Sequence, residues 1–407
     1  MKKIVVTGMG AVTPVGIGVD NYWKNITAGM SGIDTIKSFD PSELAVQVAG
    51  ELKNFNPTDY LAKDLIRKTD PFMQYAYIAA EEAMKQSNLE ITDPQRTGIV
   101  MGTAMSGIAT IAFTQEALSG ASHKKVGPRF IPKILGNIAA ANIAIDYNIQ
   151  GPSFTVSTAC SSGGDSINTA CMCIETGKAD VMLAIGAESV LCPLVIYSLG
   201  NAKALSRRND SPQTASRPFD ITRDGFVIGE GGGALVLETE EHALARGAKI
   251  LAEIKGCGNT CDAHHVTAPH PEGKGAIACM ELAIADAGIK PEEIGYVNAH
   301  GTATHKGDIV ETSAIKKVFG DKLPYVTSTK GATGHMMGAG GITETITCIK
   351  TIETGIIAPT INLNEVDPEC AGIDFVANTA KKAEIRYAMS NAFGFGGQNS
   401  SIIVGKY

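Results

Sequence analysis

Residues 154–164 read Phe154-Thr155-Val156-Ser157-Thr158-Ala159-Cys160-Ser161-Ser162-Gly163-Gly164, and a helical pattern continues over 165–177. A buried β-branched run that turns through small residues into a helix is an α/β unit, and a second apolar run at 181–185 completes strand, helix, strand. The turn puts Cys160 at the helix N-terminus. Free N–H groups and the positive end of the dipole lower a thiol's pKa there and can donate to an oxyanion. The same turn is the geometry of a nucleophile elbow, so Cys160 reads either as a nucleophile or as the buried structural residue that free cysteine commonly is.

Similar runs recur outward from this segment. In the first half they fall at 3–7, 97–101, 153–157 and 233–237, with a helix at 71–86. In the second half, strands at 250–256, 294–299, 324–327, 387–392 and 401–404 alternate with helices at 273–288, 308–319 and 338–355. Continuous apolar strands imply sheets covered by helices on both faces. The expectation is an α/β protein of two fused halves, residues 1–249 and 250–407, packed as one body because no Pro- or Ser-rich linker separates them. The halves repeat in element order only, without obvious sequence identity.

Composition narrows the class. With 44% hydrophobic and 19% charged residues the chain can bury a large core. The longest apolar runs fall far short of the ~20 residues that span a bilayer, so no membrane segment is expected. Lys2-Lys3 and a short apolar run could pass for a signal peptide, but Gly8 and Gly10 interrupt it, and a buried first strand in a cytoplasmic protein fits better. Nine cysteines, an odd count, point to reduced thiols. A formal net charge of −7 with scattered lysines gives no nucleic-acid footprint. Cys257, Cys261, His264 and His265 form a compact group, but their spacing matches no common zinc site, so no metal is expected. Glycine is in excess, 45 of 407 residues against an average of about 7%, and concentrates at strand-end turns.

Two histidines share the context of Cys160. His300 follows a predicted strand in Val297-Asn298-Ala299-His300-Gly301-Thr302-Ala303-Thr304, and His335 lies between strand and helix in a segment running from Ser328 to Gly341. Ligand sites of open α/β sheets lie beyond the carboxyl ends of the strands, so one cysteine and two histidines converge there, which implies acyl-thioester chemistry. Asn391-Ala392-Phe393-Gly394-Phe395-Gly396-Gly397-Gln398-Asn399 reads either as a tight turn with core-filling phenylalanines or as a loop whose backbone N–H approaches a bound carbonyl while a phenylalanine swings.

Together with Val5-Val6-Thr7-Gly8-Met9-Gly10, Ala204-Leu205-Ser206, Asn209-Asp210, Ser216-Arg217-Pro218-Phe219-Asp220 and Arg223-Asp224-Gly225-Phe226, these segments resemble the β-ketoacyl-acyl carrier protein synthases of type II fatty acid synthesis. The similarity runs over essentially the whole chain, and the elongating type is the nearest. It implies a thiolase-like fold, two similar α/β halves with covered mixed sheets in a layered αβαβα arrangement, acting without a cofactor as a homodimer. The activity it implies is decarboxylative Claisen condensation of malonyl-carrier protein with an enzyme-bound acyl group. The partner is acyl carrier protein, whose phosphopantetheine bears the acyl and malonyl groups.

Residue by residue, the resemblance makes Cys160 the acyl acceptor and His300 and His335 the binders of the malonyl thioester carbonyl. The Cys160 and Phe395 N–H groups form an oxyanion hole, and Phe395 is the gate. Lys330 and Glu344 become a buried pair behind the site. Thr302, Thr304 and Thr267 would contact the pantetheine arm, with Phe393 beside them, and Met105 the acyl tunnel. Lys63, Arg67, Lys68, Lys124 and Lys125 match a docking surface for the acidic carrier protein. His305, Lys306 and Gln398 depart from the elongating pattern, and Ser161-Ser162 is as close to polyketide ketosynthases. A specialised polyketide or polyene ketosynthase is therefore the alternative substrate reading. A noncatalytic chain-length partner would lack Cys160, and a degradative thiolase would carry a second cysteine where 394–397 has none.

Overall fold

The computed structural model describes residues 2–119 and 126–407. In the first half the strands are β1 (Ile4–Thr13), β2 (Thr97–Gly102), β3 (Ser153–Val156), β4 (Val181–Glu188) and β5 (Gly231–Thr239). The second half has β6 (Ala252–Cys261), β7 (Ile294–Asn298), β8 (Tyr325–Thr327), β9 (Asp374–Phe375), β10 (Tyr387–Phe393) and β11 (Gln398–Gly405). Among the helices that cover them are α1 (Pro71–Ser87), α2 (Asn137–Tyr147), α3 (Ser162–Glu175), α4 (Lys274–Ala287), α5 (His305–Phe319) and α6 (Gly340–Thr354).

All eleven strands join one sheet in the order β9-β8-β7-β10-β11-β6-β1-β5-β4-β2-β3. The join between halves is short: β1 meets β6 only through Ile4, Val5 and Val6 opposite Ile254, Glu253 and Ala252. On either side of it the same topology appears. Counting within each half and setting the edge strand β9 aside, the order is first, last, fourth, second, third. The first three neighbours pair antiparallel and the rest parallel. The parallel strands therefore lie, in both halves, on the side of the sheet away from that join.

Alternation along fully buried strands explains the layers, because successive side chains point to opposite faces. Leu235, Leu237, Met182 and Val100 point to a central core with Ile167 and Ile174 of α3 and Ile342, Ile346 and Ile349 of α6; Ile402, Val404, Ala388 and Tyr296 of the other half enter the same core. Val236, Leu183, Ile99 and Met101 pack outward against α1 and α2, and Val297, Met389 and Ile403 pack outward against α4 and α5. The result is five layers, αβαβα. One strand departs from the expectation. β3 is an edge strand paired on one side only, and Ser153 and Phe154 are exposed rather than buried.

Candidate active site

The nucleophile turn is built by its serines. Thr158 N–H donates to Ser162 Oγ at 2.9 Å, Ser162 Oγ donates to the Ala159 carbonyl at 2.7 Å, and Ser161 Oγ donates to Asp165 Oδ2 at 2.9 Å. These bonds hold Ala159 at φ 51°, a conformation costly for a residue with a Cβ, and aim Cys160 out of the turn just before α3. Ser161 and Ser162, the pair as close to polyketide as to fatty acid ketosynthases, are thus part of the scaffold of this turn. Across from it, the N-terminus of α6 approaches so closely that a Cβ on Gly341 would lie 2.3 Å from the Gly164 nitrogen. Glycine at that contact brings the strand ends of the two halves together.

The three residues singled out from sequence converge there. Cys160 Sγ and one ring nitrogen each of His300 and His335 lie within 4.8 Å of one another. The imidazoles stand edge to face, with centroids 5.3 Å apart and planes at 87°, between Phe393 on one side and Phe226 on the other. They open into a cavity of about 190 Å³ whose walls include Met105, Leu199, Phe226, Thr267, Thr302, Thr304, Phe393 and Phe395. Thr302 and Thr304 hydroxyls are 3.1 Å apart. Phe395 is 39% exposed, at the cavity mouth. Its turn needs glycine: a Cβ on Gly394 would stand 2.7 Å from the Thr158 carbonyl and 3.2 Å from the Cys160 nitrogen.

Electrostatics reverses one expectation. The Cys160 thiol is pushed up to about 11, not lowered, because burial outweighs the Phe395 N–H and the Lys330 charge that favour the thiolate. Burial, and after it the Lys330 charge, also holds both imidazoles well below the ordinary histidine range. At pH 7 the site therefore contains a neutral thiol and two neutral imidazoles. His300 Nδ1 and both ring nitrogens of His335 are buried without a partner, which leaves them for a ligand. Lys330 Nζ donates to Glu344, both side chains being buried, directly behind the histidines.

Two buried carboxylates were not singled out from sequence. Glu311 accepts the His300 and Gly301 N–H groups, both at 2.7 Å, and so fixes the His300 turn. Glu188, at the end of β4, accepts the Ala104, Met105 and Gly338 N–H groups and the Thr103 hydroxyl. It ties the Met105 segment to the loop after His335. Burial raises both to about 7. An acidic residue closing an apolar strand was the available signal for Glu188.

Lys63, Arg67 and Lys68 are exposed on the short helix Lys63–Lys68, away from the cavity, and Asp64 of the same helix pairs with both Arg67 and Lys68. Lys124 and Lys125 lie outside the described residues. His305 stands 3.9 Å from both Asp367 and Glu369, but Asp367 Oδ2 already accepts from Arg223 Nη1 at 2.7 Å. Arg223, paired with Asp308 and Asp367, also donates to the Thr304 and His305 carbonyls and so braces the turn that carries Thr302 and Thr304.

Residues 1–243 match the family described as Beta-ketoacyl synthase, N-terminal domain, and residues 251–364 match its C-terminal domain. The chain belongs to the β-ketoacyl synthase family. Among relatives, it is 44% identical to "3-oxoacyl-[acyl-carrier-protein] synthase 2" of Vibrio cholerae serotype O1, over 99% of this chain and 98% of that protein. Among solved structures it superposes on the ishigamide ketosynthase/chain length factor with a TM-score of 0.93 at 34% identity, covering 100% of this chain and 99% of that one. It also superposes on a structure described as a type II PKS acyl-carrier protein in complex with its ketosynthase bound to the hexaketide. There the TM-score is 0.91 at 33% identity, with the same coverage. The thiolase-like fold expected of a β-ketoacyl synthase is the fold observed.

Proposed function

We propose that the chain condenses malonyl-carrier protein with an acyl group held on Cys160, extending fatty acyl chains by two carbons. The observation that carries this reading is the convergence of Cys160, His300 and His335 on one cavity from opposite halves. In the first half-reaction Cys160 Sγ bonds to the acyl carbonyl carbon and the carbon–sulfur bond to pantetheine breaks. The thiol proton ends on the departing pantetheine thiol. A neutral imidazole within reach of Sγ is a suitable relay for that proton, which a thiol raised to about 11 would not shed unaided. The carbonyl oxygen gains charge facing the Cys160 and Phe395 N–H groups.

In the second half-reaction the malonyl carbonyl sits against His300 and His335. The bond to the carboxylate breaks, CO2 leaves, and its electron pair remains as an enolate. The enolate carbon bonds to the acyl carbonyl carbon, the bond to Sγ breaks, and the thiolate takes up a proton from solvent. Neutral N–H donors stabilise the enolate oxygen in a site walled by phenylalanines. Thr302, Thr304 and Thr267 position the pantetheine arm, Met105 meets the acyl tail, and Phe395 at the mouth separates the half-reactions. Lys330 with Glu344 sets the electrostatics behind the histidines.

Acyl carrier protein as the partner is supported by the names of the relatives and by the neighbour captured with its carrier protein. Lys63, Arg67 and Lys68, with Lys124 and Lys125, are the proposed docking charges. The open edge of β3, with Phe154 exposed, supports a homodimer paired through that edge. Nine free cysteines suit a reducing cytoplasm. A second reading, a ketosynthase for a polyketide or polyene, is favoured on the polyketide side by the similarity to the type II PKS ketosynthase captured with its hexaketide. Mass spectrometry of intact enzyme incubated with carrier proteins bearing saturated acyl chains of graded length, or polyene chains, tests both. A mass gain on Cys160 from saturated chains supports elongation, a gain from polyene chains alone moves the substrate to the second reading, and no gain overturns the function.

A further inference from the structure

One wall of the cavity is a loop, residues 262–273, which follows β6 and contributes Asp262, Thr267, Pro269 and Gly273. It is laced to the turn that carries Phe395. Gly396 N–H donates to the Val266 carbonyl at 2.7 Å, Asp262 N–H to the Gly397 carbonyl at 2.8 Å, and Asn399 Nδ2 to Asp262 Oδ1 at 2.8 Å. Three of the eight histidines in the chain lie in this loop, and the proposed chemistry uses none of them.

Their hydrogen bonds are specific. His265 Nδ1 accepts two backbone N–H groups, those of Thr267 and Ala268, each at 3.1 Å. His270 Nδ1 accepts the Glu272 N–H at 3.1 Å. A backbone N–H can only donate, so Nδ1 of each ring carries its lone pair and the ring proton lies on Nε2. The bend that aims Thr267 into the cavity is thus closed by a ring nitrogen in the way an Asx turn is closed by a carboxamide oxygen. Protonation of Nδ1 would set an N–H against two N–H groups and abolish both bonds.

We propose that His265 is a positioning residue: it acts through Thr267 and the adjoining Phe395 turn, holding the pantetheine wall closed while its ring is neutral and releasing it when Nδ1 is protonated. The proposal deepens the condensation reading and rests on it for its catalytic consequence. Thr267 seats the pantetheine arm and the Phe395 turn borders the nucleophile in both half-reactions, so release of this wall lowers the efficiency of each, condensation included. The loop and its ends carry the charged and titratable residues Cys261, Asp262, His264, His270, Glu272 and Lys274; Glu272 pairs with Lys274 at 3.4 Å, and the rings of His264 and His270 lie 5.0 Å apart. The facing residues 394–399 carry none, and α5 meets the end of the loop, at Gly273, through Val310 and Ala314. His300 and His335 are held neutral by burial, whereas Glu311 and Glu188, raised to about 7, add to any acid limb; the share that belongs to His265 is the part that His265→Asn removes.

Asparagine at 265 is the discriminating substitution, because its Oδ1 takes the place of Nδ1 and does not titrate. Amide hydrogen exchange of the full-length free enzyme, corrected for intrinsic rates, is measured at about pH 7.5 and about pH 5.5. The wild type is expected to protect Thr267 and Ala268 at the higher pH and lose that protection at the lower. His265→Asn should stay protected at both, and His265→Ala at neither. Wild-type protection that does not change with pH, or changes equally in His265→Asn, overturns the proposal whatever the enzyme's substrate. In turnover, His265→Ala should lower kcat/KM for malonyl-carrier protein about tenfold at neutral pH, the equivalent of one or two net hydrogen bonds. His265→Asn should restore it and flatten the acid limb. An unchanged His265→Ala, or a wild-type acid limb in His265→Asn, removes the catalytic role; absence of any acyl-enzyme, by contrast, overturns the condensation reading and leaves the exchange result standing.

Discussion

The two halves of the molecule have one strand order and use it differently. In the first half the turn after β3 satisfies itself: Ser161, Ser162 and Asp165 take up its polar groups and leave a single reactive atom, Cys160 Sγ, pointing out. In the second half the turns after β7 and β8 are braced from behind, by Glu311 and by Lys330 with Glu344, while three imidazole nitrogens are left without partners. One half presents a nucleophile on a finished scaffold; the other presents unfilled hydrogen-bonding capacity. A reaction in two stages needs both, since the first stage is a bond to sulfur and the second a charge on oxygen.

The sharpest way to break this contrast is to remove one side of it. Cys160→Ala should show no mass gain with acyl-carrier protein and lose condensation by roughly 10^4-fold or more, in the range found for other covalent nucleophiles. His300→Ala or His335→Ala should still acylate, the remaining imidazole relaying the thiol proton, while condensation falls about 10²- to 10³-fold, the usual cost of a lost oxyanion donor. Equal loss of both stages would erase the division of labour. The bracing is tested by Lys330→Ala, which strands a buried Glu344 and should cost about 3–5 kcal/mol in denaturant titration; Lys330→Ala with Glu344→Ala should recover much of it.

Where the halves join, Glu238 of β5 is wholly buried and accepts from Arg246 and His242, which belong to the connection between them, and from Thr7 of β1. Burial alone would raise its carboxyl, but these donors together hold it at about 2 against an ordinary 4.5. A depressed carboxylate contributes stability that is fully present above its unfolded pKa and is lost as pH falls through the folded one. The Tm gap between wild type and Glu238→Gln should accordingly be widest at neutral pH and narrow as pH falls below about 4.5. The smallest effect belongs to the docking helix. Because Asp64 already pairs with Arg67 and Lys68, Asp64→Asn should tighten carrier-protein binding about two- to fivefold at low salt, a difference that higher salt removes.

Much of this arrangement was legible from residue order. A strand run, a small-residue turn and a helix located Cys160, and the same pattern located His300 and His335, because strand-end position depends on local periodicity. The direction of the Cys160 shift was not legible: a helix N-terminus lowers a thiol, and only the packed structure shows that burial outweighs it. Glu188 and Glu311 were missed for a related reason. Glu188 closes an apolar run and collects main-chain N–H groups from segments distant in sequence. Glu311, by contrast, sits among ordinary polar residues of α5 and meets the His300 and Gly301 N–H groups only because the intervening turn folds back on the helix. The exposure of β3 escaped as well, since its apolar residues read as core when nothing reveals that only one neighbour pairs with it.

The three-residue contact between β1 and β6 has a consequence for how the protein can be made. Each half leaves α3 or α6 with one face finished only by the other half, so neither would be a soluble product by itself. A gene cut between residues 240 and 251 should yield two insoluble fragments that regain activity only when refolded together. The polypeptide link matters less for strength than for keeping the two pieces at high local concentration while the central helices find each other.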